Sequence, residues 1–382
     1  MKRFVLVLAA CLTAANLGAQ KPAKIPKRPE LFPGADTNSW HAYFQLGLSN
    51  LSRRPQVAAD AFYWAARIDP RVPEPLYGQW VAFWKKEGVE RYFDYLLEQK
   101  GINRRKDVQY MDSLRDEALR RNPMLYQGHE IRIIEELLPL QGLADSYIYG
   151  VLAYGGGQMP QAAKYFAQAA KDKKNLSARY YRALVLYQLT QYDSAATELE
   201  TLLAELRKRE AKKLVRYYES KEMLEFAIGT LMLTKGDLPA AREAFGRAAT
   251  ENLSFSVAHS RLGLIALTEG DTTMAMQELE QAVQLDSLDI NTRLIIANIL
   301  LMKGRAEEAR QHYQKIVERE PWFADPYYPL AFILEYEEKR EEAAKAYEAF
   351  AQRAMLTDPR LEKARAKVAE LRAAKTGGGG QP

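Results

Sequence analysis

Apolar residues in the second half of the chain recur at helical spacing, and this pattern itself repeats every 34 residues. Each repeat has a small residue in its first helix, an alanine twelve positions later and a large apolar residue four positions after that. The small residues are Gly229, Gly263, Ala297 and Ala331, the alanines Ala241, Ala275, Ala309 and Ala343, and the large residues Phe245, Leu279, Tyr313 and Tyr347. A fixed period of this length is typical of a solenoid of stacked helix pairs, so the pattern predicts an all-α fold without strands.

The residue types suit two short helices joined by a tight turn. Little side chain fits where such helices cross, so Gly229 and Ala241 are predicted at the crossing point, with Phe245 filling the gap to the next pair. A glycine seven positions after the crossing residue, such as Gly236, supplies the left-handed backbone that ends a first helix. Asp237 then accepts a hydrogen bond from the free amides of the second helix. One pair buries too little apolar surface to fold alone, so the pairs must stack.

The same spacing appears earlier in the chain, with less regular turns. The matching residues are Gly47, Ala59, Tyr63 and Ala66 in a first unit closed by Pro70, then Gly150, Ala162, Phe166 and Ala169, and then Ala183, Ala195, Leu199 and Leu202. Arginines and a proline at 53–55 replace the turn glycine of the first unit. The step from Ala183 to Gly229 is 46 residues, which exceeds the period. The excess falls within 203–222 and predicts an elongated second helix whose basic residues lie in solvent or dock an acidic partner.

Residues 73–142 are helical by pattern but do not match the repeat. Aromatic and aliphatic positions form amphipathic faces over 80–96, and 105–121 is strongly charged. The distance from Gly47 to Gly150 is close to three repeat lengths, which predicts two divergent helix pairs that keep the stack continuous. Two interpretations remain open: sequence drift within a scaffold, or a specialised binding or dimerisation face.

Spacing and residue types resemble the tetratricopeptide repeat family, loosely over 38–72 and well over 143–356. Members of that family fold as right-handed superhelices and bind peptides or proteins on the concave face formed by their first helices. The resemblance therefore implies a right-handed α-α superhelix that serves as a binding scaffold. Some members clamp a terminal carboxylate with lysine, asparagine and arginine. The matching places here hold Ser260, Leu264, Ile295, Asp325 and Pro329, so that clamp is not implied.

In the family's geometry, three first-helix positions of each unit face the concave groove: three before, one after and four after the small residue. The predicted partner-binding residues at such places are Tyr147, Val151, Tyr154, Tyr180, Leu184, Tyr187, Phe226, Leu233, Leu264, Asn298 and Phe332. This row is poor in charge, and tyrosine is a good anchor for a partner chain. It predicts a groove for an apolar or aromatic segment of a partner, centred on 147–187 and 226–233. The alternative is that a tight superhelix buries these rings against one another.

The N-terminus resembles a bacterial export signal. Within 1–19 a basic start precedes an uncharged run too short to span a membrane, and cleavage is expected before Asn16 or Gln20. A rival interpretation is a lipoprotein box ending at Cys11, which would become a lipidated first residue. Cys11 is the chain's one cysteine, so a chain cleaved at either later point has no disulfides. The protein is therefore predicted to be exported, periplasmic or secreted, with lipid anchoring as the alternative.

These patterns divide the chain into consecutive segments. After the signal come a proline-rich linker at 20–37, the first repeat with the divergent helix pairs at 38–142, and the regular array at 143–357. A capping helix is predicted at 358–375, because repeat arrays end in a helix whose outer face is polar. The glycine-rich tail, 376–382, is predicted to be disordered.

Charge and histidine placement exclude several function classes. Cleavage of the signal removes two of the 54 basic residues and leaves them close in number to the 49 acidic ones, which argues against a nucleic-acid binder. The four histidines lack paired ligand spacing, and no nucleophile elbow occurs. The sequence indicates no catalytic, cofactor or metal site. It predicts a scaffold that binds another envelope protein or, in the alternative, a structural protein that self-associates through 73–142.

Overall fold

The computed structural model describes residues 25–88, 106–125, 145–172, 175–211 and 220–376. Within these residues there are 17 helices, which hold about 75% of the residues, and no strand. The helices are α1 (Trp40–Asn50), α2 (Pro55–Ile68), α3 (Glu74–Glu87), α4 (Lys106–Arg121), α5 (Asp145–Gly155), α6 (Met159–Ala169), α7 (Leu176–Gln188), α8 (Tyr192–Glu210), α9 (Lys221–Lys235), α10 (Leu238–Glu251), α11 (Ser256–Thr268), α12 (Thr272–Leu285), α13 (Ile290–Met302), α14 (Ala306–Arg319), α15 (Tyr327–Tyr336), α16 (Arg340–Arg353) and α17 (Leu361–Thr376). The predicted all-α class is confirmed. The export signal, Cys11 and residues 377–382 lie outside the described part of the chain.

The helices pair and stack as the period predicts. From α5 to α16 the helices form pairs. Each odd-numbered helix is the first of its pair and packs most extensively on the even-numbered helix that follows it. Each second helix then packs on the first helix of the next pair, which makes the stack continuous. The last helix, α17, covers α16 with Leu361 and Ala364 while most of its other side chains are exposed or half-buried. It thus occupies the end of the stack, in the segment where a capping helix was expected.

The crossing points explain why the chain uses glycine and alanine there. A methyl group built on Gly229 would lie 2.6 Å from two ring carbons of Phe245, well inside contact distance. Phe245 is fully buried and also shares a cluster with Ala258 and Ile265 of the next pair. The large residue therefore does two things: it covers the crossing glycine of its own pair and fills the gap to its neighbour.

The turns between paired helices follow the predicted chemistry in most units. Gly157, Gly236, Gly270 and Gly304 have φ between 75 and 89°, the left-handed region that glycine adopts without strain. At the equivalent position of two other units stand Thr190 and Glu338, both with φ of 59°. A side chain at positive φ is strained, and a β-branched one more so.

The predicted register of the first pair is wrong by one residue. Ala58 and Phe62, not Ala59 and Tyr63, are fully buried, and a methyl group on Gly47 would lie 2.5 Å from the Phe62 ring. The cause is the turn: α2 begins eight residues after Gly47, whereas α10 begins nine residues after Gly229. Pro55 begins α2 one residue early because its fixed φ suits the first turn of a helix.

The described parts of the divergent segment are built into the stack. α3 packs on both α2 and α4, and Trp80 and Trp84 of α3 are almost fully buried. Beyond α4, Met124 joins the buried cluster formed by α7, α8 and α9. These contacts fit the interpretation in which the stack stays continuous. Residues 89–105 and 126–142 lie outside the described residues, so self-association through this segment stays a prediction.

The elongated second helix predicted after Ala195 is α8. It has 19 residues, whereas α10, α12 and α14 have 14 each. One basic residue of the extension, Arg207, forms ion pairs with Glu225 at 2.9 Å and with Glu251 at 2.6 Å. The charge of Arg207 is thus neutralised by acidic residues of the same chain. The remaining residues of the basic stretch, 212–219, lie outside the described part.

The first and last units of the stack touch each other, so the superhelix closes. Arg67 of α2 donates hydrogen bonds to both carboxylate oxygens of Glu320, at 2.6 and 2.5 Å, across a sequence separation of 253 residues. Beside this pair, Trp64 packs edge-on against Trp322 with ring centroids 5.2 Å apart. Within the described residues, the beginning of the stack therefore lies against the segment between α14 and α15.

The described part of the predicted linker, 25–37, also packs against this junction. The backbone carbonyl of Pro26 accepts a hydrogen bond from the Trp64 indole at 3.1 Å. Just after the linker, Asn38 donates to two backbone carbonyls at the C-terminal end of α16, both at 3.1 Å. The segment contains no helix, and it is held between both ends of the stack rather than extended into solvent.

Candidate partner-binding surface

Five of the predicted groove residues are buried and do not form an open groove. Val151, Tyr154, Tyr180, Leu184 and Phe226 each expose 7% or less of their surface. Tyr154, four after its crossing residue, shares a cluster with Val185 of the next first helix, and Tyr180, three before its own, shares one with Met124 in the turn after α4. All five are thus buried, as the alternative expected for the rings, but they lie in three separate clusters rather than against one another.

Four more predicted residues are half-buried: Tyr147, Tyr187, Leu233 and Leu264. Tyr147 lies edge-on to Phe166 at 5.9 Å, between that ring and its neighbours in the α5–α6 core. Tyr187 packs on Tyr192 with centroids 5.9 Å apart, and burial raises the pKa of its hydroxyl above the ordinary tyrosine value. Tyr147, Tyr187 and Leu233 pack on buried clusters of the stack, whereas Leu264 belongs to none of them.

The remaining two, Asn298 and Phe332, are exposed, and the structure adds two neighbours that sequence reasoning missed. Met302 is 87% exposed and Tyr336 is 82% exposed, each at the end of its first helix, five positions after the crossing alanine. Position five was not among the places taken from the family's geometry. The sequence did contain a sign of these two positions, because Met302 and Tyr336 are large apolar residues one 34-residue period apart.

Positions one and five of four successive first helices form a single set, here named the first-helix strip. Its members are Thr230, Thr234, Leu264, Thr268, Asn298, Met302, Phe332 and Tyr336. Equivalent positions on stacked repeats face the same side of a solenoid. A hydrogen bond of 2.7 Å between Ser260 and Thr292 joins the first helices α11 and α13 directly, which confirms that these helices are neighbours.

No member of the strip carries a charge, although 27% of the chain is charged. Its three threonine hydroxyls are satisfied within their own helices. They donate to backbone carbonyls four residues earlier, as Thr234 does to Thr230 at 2.8 Å. Their hydroxyl hydrogens are thus already used, and each threonine can offer a ligand only its methyl group and the acceptor capacity of its oxygen. The strip changes along the stack from threonine at α9 to methionine and aromatic side chains at α13 and α15.

Asn298 supplies the one oriented polar group of the strip. Its Oδ1 accepts a hydrogen bond of 2.6 Å from the hydroxyl of Tyr313, whose pKa is raised by burial. This bond fixes the amide, and its nitrogen has no acceptor among the described residues. In the next unit Tyr347 donates instead to Glu335 at 3.0 Å. A fixed amide donor beside apolar side chains suits the backbone carbonyl of a bound chain.

Glu335 borders the strip, and its charge is neutralised locally. Lys367 of α17 approaches its carboxylate at 2.6 Å. Burial alone would raise the pKa of Glu335, but the hydrogen bonds from Lys367 and Tyr347 lower it below the ordinary glutamate value. The carboxylate is thus ionised and paired, so it adds little net charge to the surface.

Metal sites and membrane-spanning helices are not found in the described residues. No group of three or more histidine, cysteine or acidic side chains there has a geometry that would hold a metal ion. None of the helices described is both long and apolar enough to cross a membrane.

Comparison with known proteins identifies the repeat. Two sequence models described as tetratricopeptide repeat match the chain, one at residues 150–210 and 226–290 and the other at 266–328. The chain contains tetratricopeptide repeats. Such repeats are generally interaction modules rather than enzymes, and the all-α solenoid agrees with them. The chain is accordingly a scaffold for protein–protein interaction.

Several solved tetratricopeptide structures are similar to parts of this chain at low sequence identity. A C-terminal part of a repeat-containing protein from Cytophaga hutchinsonii is 17% identical, with a TM-score of 0.45, 60% of this chain covered and 85% of that one. PilF of Pseudomonas aeruginosa is 18% identical, with a TM-score of 0.42 and coverages of 60% and 96%. YrrB, described as having an unusual peptide-binding site, is 19% identical, with a TM-score of 0.41 and coverages of 54% and 100%. No curated protein matches the sequence.

Proposed function

We propose that this scaffold binds an uncharged, apolar or aromatic segment of another cell-envelope protein along the first-helix strip. The observation that carries the proposal is the exposure of Met302, Phe332 and Tyr336 in one row beside the fixed amide of Asn298. A contiguous exposed apolar row is typical of an interface, and aromatic side chains contribute most to such contacts. The residues that carry the proposal, at 298–336, lie nearer the C-terminus than the groove expected at 147–187 and 226–233.

Site-specific photo-crosslinking tests this site. A photoreactive phenylalanine analogue placed at Tyr336 should crosslink to one partner in envelope fractions, through a peptide without charged side chains. The control is the same analogue at Leu253, which is 78% exposed in the loop between α10 and α11. Equal crosslinking from both positions, or a crosslinked peptide rich in charge, would contradict the proposal.

Substitution separates binding from folding. Replacing Phe332 and Tyr336 together by serine should reduce partner binding by at least tenfold, which corresponds to about 1.4 kcal/mol. Helix content should stay unchanged, and stability should change by about 0.5 kcal/mol or less per exposed site. Leu253→Ser is the matched control and should bind normally. Normal binding by the double variant would rule out the strip.

The envelope location is proposed from the sequence of 1–19 and the short apolar run within it. N-terminal sequencing of the mature protein should find Asn16 or Gln20 first. A lipid on Cys11 would select the anchored alternative, and a product that retains Met1 would refute export.

A further inference from the structure

A cavity of about 170 Å³ lies where the first and last units of the stack meet. The residues that line it come from both ends of the chain: Arg28, Asn38, Ile68, Trp322, Gln352 and Arg353. Two of the six are arginines, and none is acidic. The cavity shares no residue with the first-helix strip, so a ligand bound there is independent of the proposed function.

Arg28 is held in the wall of this cavity by aromatic rings. Its guanidinium carbon lies 5.1 Å from the ring centroid of Tyr43 and also 5.1 Å from that of Trp64. One terminal nitrogen donates to the backbone carbonyl of Thr37, and Nε is buried with no acceptor. Among the described residues no carboxylate forms an ion pair with it. Arg28 is therefore a fixed cation with donors to spare.

Arg353 is held in a similar way on the other side. It donates through Nε to the carbonyl of Pro321 at 2.6 Å and through Nη1 to that of Ala349 at 2.9 Å. Its guanidinium carbon lies 4.9 Å from the Tyr327 ring. No acidic side chain of the described chain pairs with it, and its second terminal nitrogen has no partner there. Both arginines thus keep their positions without using a carboxylate.

Two acidic side chains close to this junction, Asp36 and Glu320, bond to groups other than Arg28 and Arg353. Asp36 accepts hydrogen bonds from the backbone amides of Asn38 and Leu356, at 2.8 and 2.7 Å. Glu320 accepts both hydrogen bonds from Arg67. The two guanidinium groups are themselves half-buried and line a cleft that is open to solvent. No carboxylate of the described residues forms an ion pair with either of them, so a negative charge placed between them is favoured.

We propose that this cleft binds a carboxylate of a peptide ligand between Arg28 and Arg353, with the adjoining apolar atoms against Ile68 and Trp322. Guanidinium groups match carboxylate geometry, and the cavity has room for a carboxyl group and the first carbons attached to it. The carboxylate comes from either of two sources, a chain terminus or an acidic side chain. Because Arg28 and Arg353 belong to opposite ends of the stack, the ligand would bridge the closed superhelix and stabilise its closure.

Three small probes of similar size test the proposal by calorimetric titration of the full-length protein. N-acetyl-leucine carries a terminal carboxylate, the α-amide of N-acetylglutamate carries a side-chain carboxylate, and N-acetyl-leucinamide carries no charge. At least one carboxylate should bind in the low-millimolar range, about what ligands of this size reach. The neutral amide should bind at least tenfold more weakly. The stronger of the two carboxylates identifies the source.

Arg353→Gln should weaken carboxylate binding about tenfold, as expected for the loss of one charge-assisted contact. Arg340→Gln is the matched control: it removes the same charge from the exposed start of the same helix and should leave binding unchanged. Arg28→Gln should weaken binding as well, and its circular dichroism and melting curve report whether closure survives. If that variant unfolds, Arg353→Gln alone decides. Equal binding of the neutral amide, no binding of either carboxylate, or an equal loss in Arg340→Gln would overturn the proposal.

Discussion

The substitution Gly229→Ala tests the packing rule on which the whole stack depends. Gly229 lies where α9 crosses α10, and the added methyl group would lie 2.6 Å from both Cδ1 and Cε1 of Phe245. That ring is fully buried and is flanked by Phe226, with centroids 5.1 Å apart. It cannot swing away without disturbing the core shared with the next pair, so the two helices must move apart.

The expected magnitude follows from two opposing effects. Overpacking of this kind costs about 1–3 kcal/mol. Alanine in place of glycine inside a helix contributes about 1 kcal/mol in the other direction. Gly246 provides the control, because it too lies inside a helix, α10, and a methyl group there would meet no atom within 4 Å. Gly246→Ala should stabilise the protein, and the difference between the two variants isolates the overpacking effect at about 1–3 kcal/mol.

Urea unfolding followed by circular dichroism gives the free energies of unfolding for both variants. Repeat arrays open unit by unit, so amide hydrogen exchange in α9 and α10 gives the more local measurement. Exchange there should be faster in Gly229→Ala and slower or unchanged in Gly246→Ala. If Gly229→Ala is as stable as Gly246→Ala and exchanges no faster, close approach at the crossing glycine does not hold the pairs together.

Two further predictions concern turns and ion pairs. Thr190→Gly removes a β-branched side chain from φ of 59°, so it should raise the free energy of unfolding, by about 1 kcal/mol at most after the entropy cost of glycine. The control, Thr201→Gly in the middle of α8, should lower the free energy of unfolding in the same urea assay. The hydrogen bond from Arg360 lowers the pKa of Asp358 below 3.8, so this pair stabilises the folded state above that pH and its contribution is lost as the pH falls further. Arg360→Gln should therefore flatten the fall in melting temperature below about pH 4, and an unchanged acid profile would contradict the assignment.

The repeat unit could be predicted from the sequence because its determinants are local. The period, the small crossing residues and the turn glycines all act within one pair or between adjacent pairs. The first unit shows the limit of this approach. Its turn is one residue shorter, and only the observed contact between Gly47 and Phe62 reveals that the second helix is shifted. A consensus register cannot detect such a shift when alanines and aromatic residues stand at both alternatives.

The groove residues were predicted less well, for a related reason. Positions three before and four after the crossing residue bury their rings in the clusters between neighbouring elements, as Tyr154 and Tyr180 do. Positions one and five point outward in the later units, where Phe332 and Tyr336 are exposed. In the sequence, the buried and the exposed positions carry apolar residues of the same kinds. The direction of each side chain depends on how closely successive first helices approach, and residue types alone do not report that distance.

Closure of the superhelix is the feature that the sequence predicts least. It depends on contacts between N-terminal and later units that are far apart in the chain: besides the pair at α2, Arg261 of α11 donates to the backbone carbonyl of Arg121, at the end of α4, at 3.1 Å. The pairing of Arg67 with Glu320 joins residues 253 positions apart, and neither residue occupies a conspicuous place in its own repeat. The contact nevertheless determines which surfaces of the molecule are accessible. It creates a cleft with two unpaired arginines that no single repeat contains, and it leaves the uncharged strip on α9, α11, α13 and α15 as a separate surface. Under the two proposals, the closed scaffold would hold two chemically different segments at once, a carboxylate at the junction and an apolar stretch on the strip.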